Sequence, residues 1–278
     1  MRMRSLLFVP GDRPDRMEKA RTLDADVLIL DLEDSVTAAK KDDARKAVAD
    51  FLVRPRGKPI FVRINAPVAL MERDLAMVGP HRPDGIVLPK AEGGACIADL
   101  DRRLGALGDT RACILPIVTE TPAAIFALGS YGGVTPRICG LAWGAEDLSS
   151  AVGASTAREA DGRFTAPYET VRSLALFAAH AAGVAAIETV YPDLKNAEGL
   201  KAYAIRARRD GFSGMLAIHP AQLGTIHAAF APSADEIAWA RRVVDAFAAD
   251  PDSGALQIDD KMVDAPHLKQ AQRILAAM

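Results

Sequence analysis

The sequence predicts an α/β fold, with a (β/α)8 TIM barrel over residues 1–231 and a C-terminal helical arm or lid over residues 232–278. Three observations support this prediction. Eight short apolar runs recur along the chain, amphipathic segments of helical length separate them, and the 278 residues suffice for one barrel of about 250. Eight strand–helix units favour a closed barrel over an open doubly wound sheet, which commonly has fewer strands.

The eight runs are rich in Val, Ile and Leu, and each ends at polar or turn-forming residues. They lack the alternation of a half-exposed strand, as expected for a parallel sheet that is buried on both faces. In chain order they are SLLFVP (5–10), DVLILDLED (26–34), PIFVRIN (59–65), GIVLPK (85–90), CILPIVTE (113–120), ICGLAWG (138–144), AAIETVY (185–191) and MLAIHP (215–220).

The segments between these runs have the apolar spacing of helices. Pro14 and Pro122 lie near helix starts, where the missing N–H is harmless, and Gly183 and Gly211 lie where a helix would stop before the next strand. The clearest predicted helices span 13–23, 38–52, 96–107, 122–128, 168–182, 197–209 and 222–229.

The segment after the barrel reads differently. A helix is predicted over 233–249, with Asp235 and Glu236 in its first turn, where they favour the helix dipole. A polar link, a short segment and a final helix follow. Because this remainder has too few apolar residues for a core of its own, we expect an arm or lid that is not an independent domain.

Bulk properties exclude several classes of function. The net charge is −2 and no block of like charge occurs, so neither nucleic acid nor an anionic membrane is a predicted partner. The first apolar run ends at Pro10, before it reaches the ~7–15 residues of a secretory signal. Cys96, Cys113 and Cys139 have neither metal-ligand nor disulfide-framework spacing. The predicted location is the cytoplasm.

Ionisable and amide side chains gather where the predicted strands end. In (β/α)8 barrels these carboxyl ends and the loops after them carry the functional residues. The opposite ends of the strands have far fewer such groups. The strand-end set consists of Asp31, Glu33, Asp34, Arg63, Asn65, Lys90, Glu120, Glu146, Asp147, Glu188 and His219.

Several carboxylates at one barrel mouth would repel one another unless a cation neutralised them. Carboxylate oxygens are hard ligands and few histidines compete, so Mg²⁺ is the predicted metal, with Mn²⁺ as a substitute. Mg²⁺ commonly keeps waters and takes one or two protein carboxylates. Coordination positions then stay open for a bidentate α-keto or α-hydroxy acid.

Eight segments in order resemble one family, which holds the citrate lyase beta subunit and the malyl-CoA and citramalyl-CoA lyases. The likeness covers essentially the whole chain, and eight motifs in register are specific where one would be weak. The segments are RSLLFVPG, ILDLEDSV followed by Lys and Ala-Arg, FVRIN, GIVLPK, the Thr-Glu-Thr of VTETP, GAEDL, GFSGMLAIHPAQ and KMVDAPHL.

The resemblance implies roles for individual residues. Glu120 and Asp147 correspond to two Mg²⁺ ligands, and Arg63 to the guanidinium that binds substrate and stabilises enolate charge. Asp264 corresponds to an aspartate that relatives insert into a neighbouring subunit's site. The implied assembly is a homo-oligomer, a trimer or hexamer, with shared sites. Substrate-contacting positions, mostly along the CoA portion and the thioester arm, correspond to Phe8, Arg13, Lys19, Ile218 and His219.

Other readings of these residues remain open at this stage. Glu120 and Asp147 could cap the helices that follow them, and Arg63 could be a structural partner of Asp31 or Asp34 in a ring of ion pairs at the barrel mouth. Lys90 could be a Schiff-base nucleophile, although a salt bridge is favoured because the metal-using family has the same Pro-Lys ending. Glu188 stands where relatives usually carry Asp.

The implied reaction is Mg²⁺-dependent carbon–carbon cleavage, or its reverse, on a short 3-hydroxy-3-carboxy acyl-CoA such as citramalyl-CoA or malyl-CoA. The products would be a keto acid and acetyl-CoA. Three alternatives stay open: a citrate lyase beta-type subunit that acts on a citryl-acyl-carrier protein within a complex, a thioester-hydrolysing enzyme of malate synthase type, and an aldolase for free keto acids.

Overall fold

The computed structural model describes residues 1–251 and 253–276, which form two compact units, Met1–Ala229 and Phe230–Met278. Parallel strands alternate with helices through the first unit. The elements are β1 (Ser5–Pro10), α1 (Pro14–Ala20), β2 (Val27–Asp31), α2 (Lys41–Val53), β3 (Ile60–Arg63), α3 (Val68–Val78), β4 (Gly85–Leu88), α4 (Gly94–Ala106), β5 (Cys113–Pro116), α5 (Pro122–Phe126), β6 (Gly140–Ala142), α6 (Glu146–Ala151), α7 (Ala166–Ala181), β7 (Ala185–Glu188), α8 (Ala197–Asp210), β8 (Gly214–Ala217) and α9 (Leu223–Phe230).

The eight strands form one sheet in the order β5-β4-β3-β2-β1-β8-β7-β6. Its two ends, β5 and β6, meet through isolated parallel bridges, Ile114 to Ile138 and Ile117 to Ala142, so the sheet is nearly closed. This arrangement confirms the predicted barrel-type α/β fold. Each strand lies within its predicted run, except β8, which starts one residue before it. Most strands end before their predicted runs do, so many of the strand-end polar residues belong to loops.

Side chains on alternate positions point into the barrel, as the period of two requires. Every strand contributes to the apolar core there, through Leu6, Val27, Ile29, Phe61, Val87, Leu115, Ala142, Ile187 and Leu216, with Ile117 just beyond β5. This phase decides which strand-end residues can enter a central site.

Helix α3 was not among the clearest predicted helices, and its packing assigns a structural role to Asn65. Asp74 of α3 is fully buried and accepts hydrogen bonds from the Asn65 backbone N–H at 2.8 Å and side-chain amide at 2.7 Å. Arg45 of α2 donates to the other Asp74 oxygen at 2.6 Å. Asn65 therefore joins the strand end to α2 and α3.

The second unit contains α10 (Ala234–Ala249), a hairpin of β9 (Ala255–Ile258) and β10 (Lys261–Asp264), and α11 (Ala265–Ala276). Helix α10 begins with a capping box between Ser233 and Glu236. The hairpin was not predicted. Its turn places Asp259 and Asp260 at positive φ, the backbone pattern of a tight two-residue turn. Ala240, Val243 and Ala271 form a small apolar cluster within this unit.

Among the described residues, no helix combines the length and the apolar character that crossing a bilayer requires.

Candidate active site

A cavity of about 340 Å³ opens at the carboxyl ends of the strands. The barrel interior continues into it at every second residue, from Ile29 to Asp31, Phe61 to Arg63, and Leu216 to Ile218. The helices after the strands add Arg16 and Asp147 to its lining. The lining residues that matter for its chemistry are Phe8, Arg16, Asp31, Arg63, Glu120 and Asp147.

Arg63 is held rigidly at the floor of this cavity. Its Nε and Nη2 donate to the two oxygens of Asp31 at 2.7 Å each, and its Nη1 lies 2.8 Å from Glu33 Oε2. The guanidinium also lies 4.8 Å from the ring centre of Phe8. Burial alone would lower the pKa of Arg63, but Asp31 and Glu33 outweigh burial and raise it. The side chain is permanently cationic and has one orientation.

Lys90 lies between the carboxylates of this mouth. Its ammonium contacts Glu33 and lies 3.6 Å from both Asp34 and Asp147. Its backbone adopts a positive φ of 51°, and its N–H donates to Glu120 Oε2 at 2.5 Å. Burial alone would lower the pKa of Lys90, but the contact with Glu33 and the other carboxylates raise it above its ordinary value. A permanently protonated amine does not suit a Schiff-base nucleophile.

Glu120 is only 5% exposed, and burial raises its pKa to about 8, with further contributions from the charges of Asp147 and Glu33. Asp147, in the first turn of α6, lines the same cavity. Space for Glu120 depends on Gly144, because a Cβ there would lie 3.1 Å from Glu120 Cγ. A buried carboxylate that resists ionisation next to a second acidic group fits a bound cation.

The ligand set also fits the kind of metal predicted. Among residues 1–251 and 253–276, no group of three or more His, Cys, Asp or Glu side chains could enclose a metal. Two carboxylates match Mg²⁺, which usually takes one or two from the protein and keeps several waters.

Glu188 does not reach the cavity, although it ends a strand. It is in the opposite phase from Ile187, points outward and is fully buried. Arg172 of α7 donates to its Oε2 at 2.8 Å, and Tyr203 of α8 donates to its Oε1 at 2.6 Å. The indole N–H of Trp143 donates to Oε1 as well. Glu188 thus fastens the barrel wall to two surrounding helices.

The positions related to CoA contacts divide into two groups. Phe8 and Ile218 line the cavity. Lys19 is exposed on α1 and does not line it, and Arg13 pairs with Asp15 at 3.0 Å. His219 faces away from Ile218, and its Nδ1 accepts a hydrogen bond from the Ala221 backbone at 3.2 Å, as a loop-capping residue does.

Arg16 was not singled out from the sequence, yet it lines the cavity. It lies in the first turn of α1, directly after the strand end that carries Phe8 and Pro10, and this position at the barrel mouth is the signal that could have identified it. Within the described part of the chain, Arg16 forms no ion pair with an acidic side chain, whereas Arg13 does. Its guanidinium is therefore available to an anionic ligand.

Comparison with known proteins now adds to this geometry. Residues 4–220 match the HpcH/HpaI aldolase/citrate lyase family. The chain belongs to this family. It is 38% identical over 270 residues to a citrate lyase subunit beta-like protein of Mycobacterium tuberculosis, with 97% of this chain and 93% of that protein covered. It is 33% identical to the (3S)-malyl-CoA thioesterase of Cereibacter sphaeroides, with 98% and 93% covered.

A solved structure of a family member has the same fold. The crystal structure of CitE from Mycobacterium tuberculosis in complex with magnesium, acetoacetate and coenzyme A superposes with a TM-score of 0.84 at 35% identity. The alignment covers 99% of this chain and 98% of that one. The resemblance inferred from the eight motifs is confirmed, and it places the chain in a family of carbon–carbon lyases.

The Val-Asp segment that the sequence analysis related to an inserted aspartate falls in the second unit of this chain. Asp264 is the last residue of β10, and its Oδ1 lies 2.5 Å from Nδ1 of His267 in α11. The hydrogen bond with His267 lowers the pKa of Asp264 below its usual range. His267 was not considered in the sequence analysis, although its spacing of three residues places it next to Asp264 once a helix starts at Ala265.

Proposed function

We propose that this protein is a Mg²⁺-dependent carbon–carbon lyase that acts on a short 3-hydroxy-3-carboxy acyl-CoA, such as citramalyl-CoA or malyl-CoA. The products would be a keto acid and acetyl-CoA, and the reverse condensation uses the same groups. The observation that supports this proposal is the convergence of Glu120, Asp147 and Arg63 on one cavity. Mn²⁺ is the expected substitute metal.

Glu120 and Asp147 would hold the Mg²⁺ in this proposal. When bound, the ion supplies a Lewis acid that orients the α-hydroxy acid and stabilises negative oxygen in the transition state. Its charge would also neutralise Glu120, whose burial otherwise disfavours ionisation. The cavity of about 340 Å³ is at the small end of ligand sites, which suits a short keto acid.

Arg63 would bind the substrate and stabilise charge that develops on it. A guanidinium has five N–H donors, and two of those of Arg63 donate to Asp31. The remaining N–H groups, on Nη1 and Nη2, include donors from which a carboxylate or thioester oxygen can accept a hydrogen bond. Because Asp31 and Glu33 orient the group beforehand, no reorganisation is needed when the enolate forms.

The reaction moves one proton from the substrate hydroxyl and one to the product carbon. A base removes the proton of the substrate hydroxyl, and the oxygen electrons form the keto C=O. The carbon–carbon bond breaks, and its electron pair passes to the thioester enolate, whose carbon then takes a proton. We assign that proton transfer to Asp264 of a neighbouring subunit in a trimer or hexamer. In the condensing direction Asp264 would act as the base that removes this proton.

Two other candidates have support from named relatives. The Mycobacterium tuberculosis relative carries the name of a citrate lyase beta-like subunit, which keeps an acyl-carrier-protein substrate in consideration. The Cereibacter sphaeroides relative is a malyl-CoA thioesterase, which keeps thioester hydrolysis in consideration. Both candidate reactions would take place in the same cavity. The structure therefore does not distinguish them from the proposed reaction, and the reaction products must be measured.

A substrate panel tests the proposal. Citramalyl-, malyl-, methylmalyl- and citryl-CoA, a citryl-acyl-carrier protein and the free acids would each be incubated with the protein and Mg²⁺. Lyase activity releases a keto acid together with the shortened acyl thioester, which is acetyl-CoA for malyl-, citramalyl- and citryl-CoA, whereas hydrolysis alone releases the free thiol of the carrier. Absence of keto acid from every thioester, with the protein folded and Mg²⁺ present, would contradict the lyase assignment.

A further inference from the structure

The least regular strand pairing of the barrel, called the joint below, lies between β5 and β6, the two strands that lead to Glu120 and Asp147. Strands β5 and β6 share only two isolated bridges, while every other neighbouring pair forms a regular ladder. Ile138 follows Ile114 by 24 residues, whereas Ala142 follows Ile117 by 25, so one extra residue is accommodated on the β6 side. Such irregularities bend a strand and redirect the residues that follow it.

The hydroxyl of Thr119 completes the pairing at this joint. Its Oγ1 donates to the carbonyl oxygen of Gly144 and accepts from the Gly144 N–H, both at 2.9 Å. Thr119 is fully buried, so its removal would leave both Gly144 groups without this partner. At the cavity end of these two strands, the Thr119 side chain therefore makes the two hydrogen bonds to Gly144 that the backbone of a neighbouring strand would make in a regular sheet.

The joint determines how far apart the two carboxylates lie. Glu120 directly follows Thr119, and Asp147 is on the first turn of the helix that starts two residues after Gly144. The approach is close, because a Cβ on Gly144 would lie 3.1 Å from Glu120 Cγ and 3.4 Å from its Oε1. A small shift of Gly144 relative to Thr119 would thus change the spacing of the carboxylates directly.

We propose that Thr119 is a positioning residue that makes this site selective for Mg²⁺ over larger divalent cations. The inference rests on the proposed function, in which Glu120 and Asp147 hold the metal. Mg²⁺ requires near-octahedral geometry at about 2.0–2.1 Å, whereas Ca²⁺ tolerates irregular coordination at about 2.3–2.6 Å. A looser joint should therefore weaken Mg²⁺ binding more than Ca²⁺ binding.

The test measures binding of Mg²⁺ and of Ca²⁺, each alone, to the chelator-treated full-length protein by calorimetry. Thr119→Val keeps the shape of the side chain and removes the hydroxyl. We expect its Kd for Mg²⁺ to rise about tenfold or more, as for other groups that orient metal ligands, and its Kd for Ca²⁺ to rise less than about threefold. Thr119→Ser restores the hydroxyl and should restore Mg²⁺ affinity.

Two further variants make the test decisive. Thr121→Val is the matched control. The Thr121 hydroxyl donates to the exposed Glu92 at 2.7 Å and caps α5 by accepting from the Ala124 N–H at 3.2 Å, but it does not contact Gly144. Gly144→Ala keeps Thr119 but pushes on Glu120, so it should also lower the Mg²⁺ to Ca²⁺ affinity ratio. If Thr119→Val does not fold, Thr119→Ala, which also removes the hydroxyl, is measured in its place.

The outcomes separate this inference from the proposed function. Equal losses for both cations, or no change in Thr119→Val and Gly144→Ala, would overturn the positioning role while leaving the metal site in place. If the wild-type protein bound neither cation at millimolar concentration, the metal assignment itself would fail, and the inference with it. A loss in Thr121→Val as large as that in Thr119→Val would also overturn it.

Discussion

Arg63 and Asp31 are joined by two parallel hydrogen bonds, from Nε to Oδ1 and from Nη2 to Oδ2, each 2.7 Å long. Two backbone N–H groups from the following loop also donate to Asp31, from Glu33 at 2.9 Å and Ser35 at 3.2 Å. These four hydrogen bonds fix the position of the Asp31 carboxylate, and with it the position of the Arg63 guanidinium. This pair orients the guanidinium toward the cavity before any ligand arrives.

We expect Arg63→Lys to lower kcat/KM by about 100-fold or more, because a lysine ammonium cannot reproduce the planar fork or its fixed donors. Steady-state kinetics on the best thioester of the panel checks this. Arg4→Lys is the matched control. Arg4 forms the same bidentate pair with Asp26 at 2.8–2.9 Å, at the opposite end of β1, so its loss should affect stability without affecting kcat. Near-normal turnover of Arg63→Lys would assign Arg63 to the scaffold.

Glu120→Gln should have two opposite effects. It should abolish the rise in Tm that Mg²⁺ causes, because one metal ligand loses its charge. It should also raise the Tm of the metal-free protein by a few degrees (about 2–4 °C per kcal/mol), because burial disfavours the ionised carboxylate. Differential scanning calorimetry with and without Mg²⁺ measures both, with Glu92→Gln as the exposed control. A variant that keeps the wild-type Mg²⁺ response would refute the ligand assignment.

Lys90→Met should tighten Mg²⁺ binding while lowering activity. The ammonium lies among Glu33, Asp34 and Asp147 and repels a cation placed there. Removing one partly screened charge should lower the Kd for Mg²⁺ about tenfold, or ~1.4 kcal/mol. Lys40→Met removes an equal charge from an exposed pair with Asp12 and should leave the Kd unchanged. Weaker Mg²⁺ binding in Lys90→Met would show that Lys90 supports the metal ligands instead.

The sequence predicted the eight strands because buried parallel strands are continuous apolar runs, and it located the site because barrel strands end there. The sequence did not show whether the side chain of each strand-end residue points into the barrel or away from it. Arg63 follows the interior position Phe61 by two residues and enters the cavity, whereas Glu188 follows Ile187 by one and leaves it. The sequence also did not show which side chains pair with one another. Asn65, for example, binds Asp74, which lies in α3, a helix that the sequence analysis did not identify.

The outward position of Glu188 leads to a prediction about stability. Glu188→Gln should lower the free energy of unfolding by about 1–3 kcal/mol, because the buried Arg172 loses one of its two carboxylate partners and keeps only Asp210 at 2.8 Å. Activity per folded molecule should stay close to wild type. Urea unfolding monitored by circular dichroism measures the change. Glu169→Gln, which breaks a half-buried pair with Arg206, should cost about 1 kcal/mol or less. A Glu188→Gln protein that is as stable as the wild type but inactive would show that Glu188 has a catalytic role instead of a structural one.

The last prediction concerns Asp264 and the assembly. We expect the active form to be an oligomer in which the segment around Asp264 completes a neighbouring subunit's cavity and excludes water during the reaction. Asp264→Ala and Glu120→Ala should each be folded and inactive. Mixed under conditions that allow subunit exchange, they should recover part of the activity, because some interfaces then pair an intact cavity with an intact Asp264.

The control for this complementation is a mixture of Asp264→Ala with an Asp264→Ala, Glu120→Ala double variant, in which no interface contains an intact Asp264. Exchange itself is followed by native mass spectrometry with one isotope-labelled partner. His267→Asn offers an independent check, since it removes the hydrogen bond at 2.5 Å that fixes the orientation of the Asp264 carboxylate and should reduce kcat more than it raises KM. If exchange is demonstrated and activity stays absent, Asp264 does not act in the site of a neighbouring subunit, and the shared-site prediction is wrong.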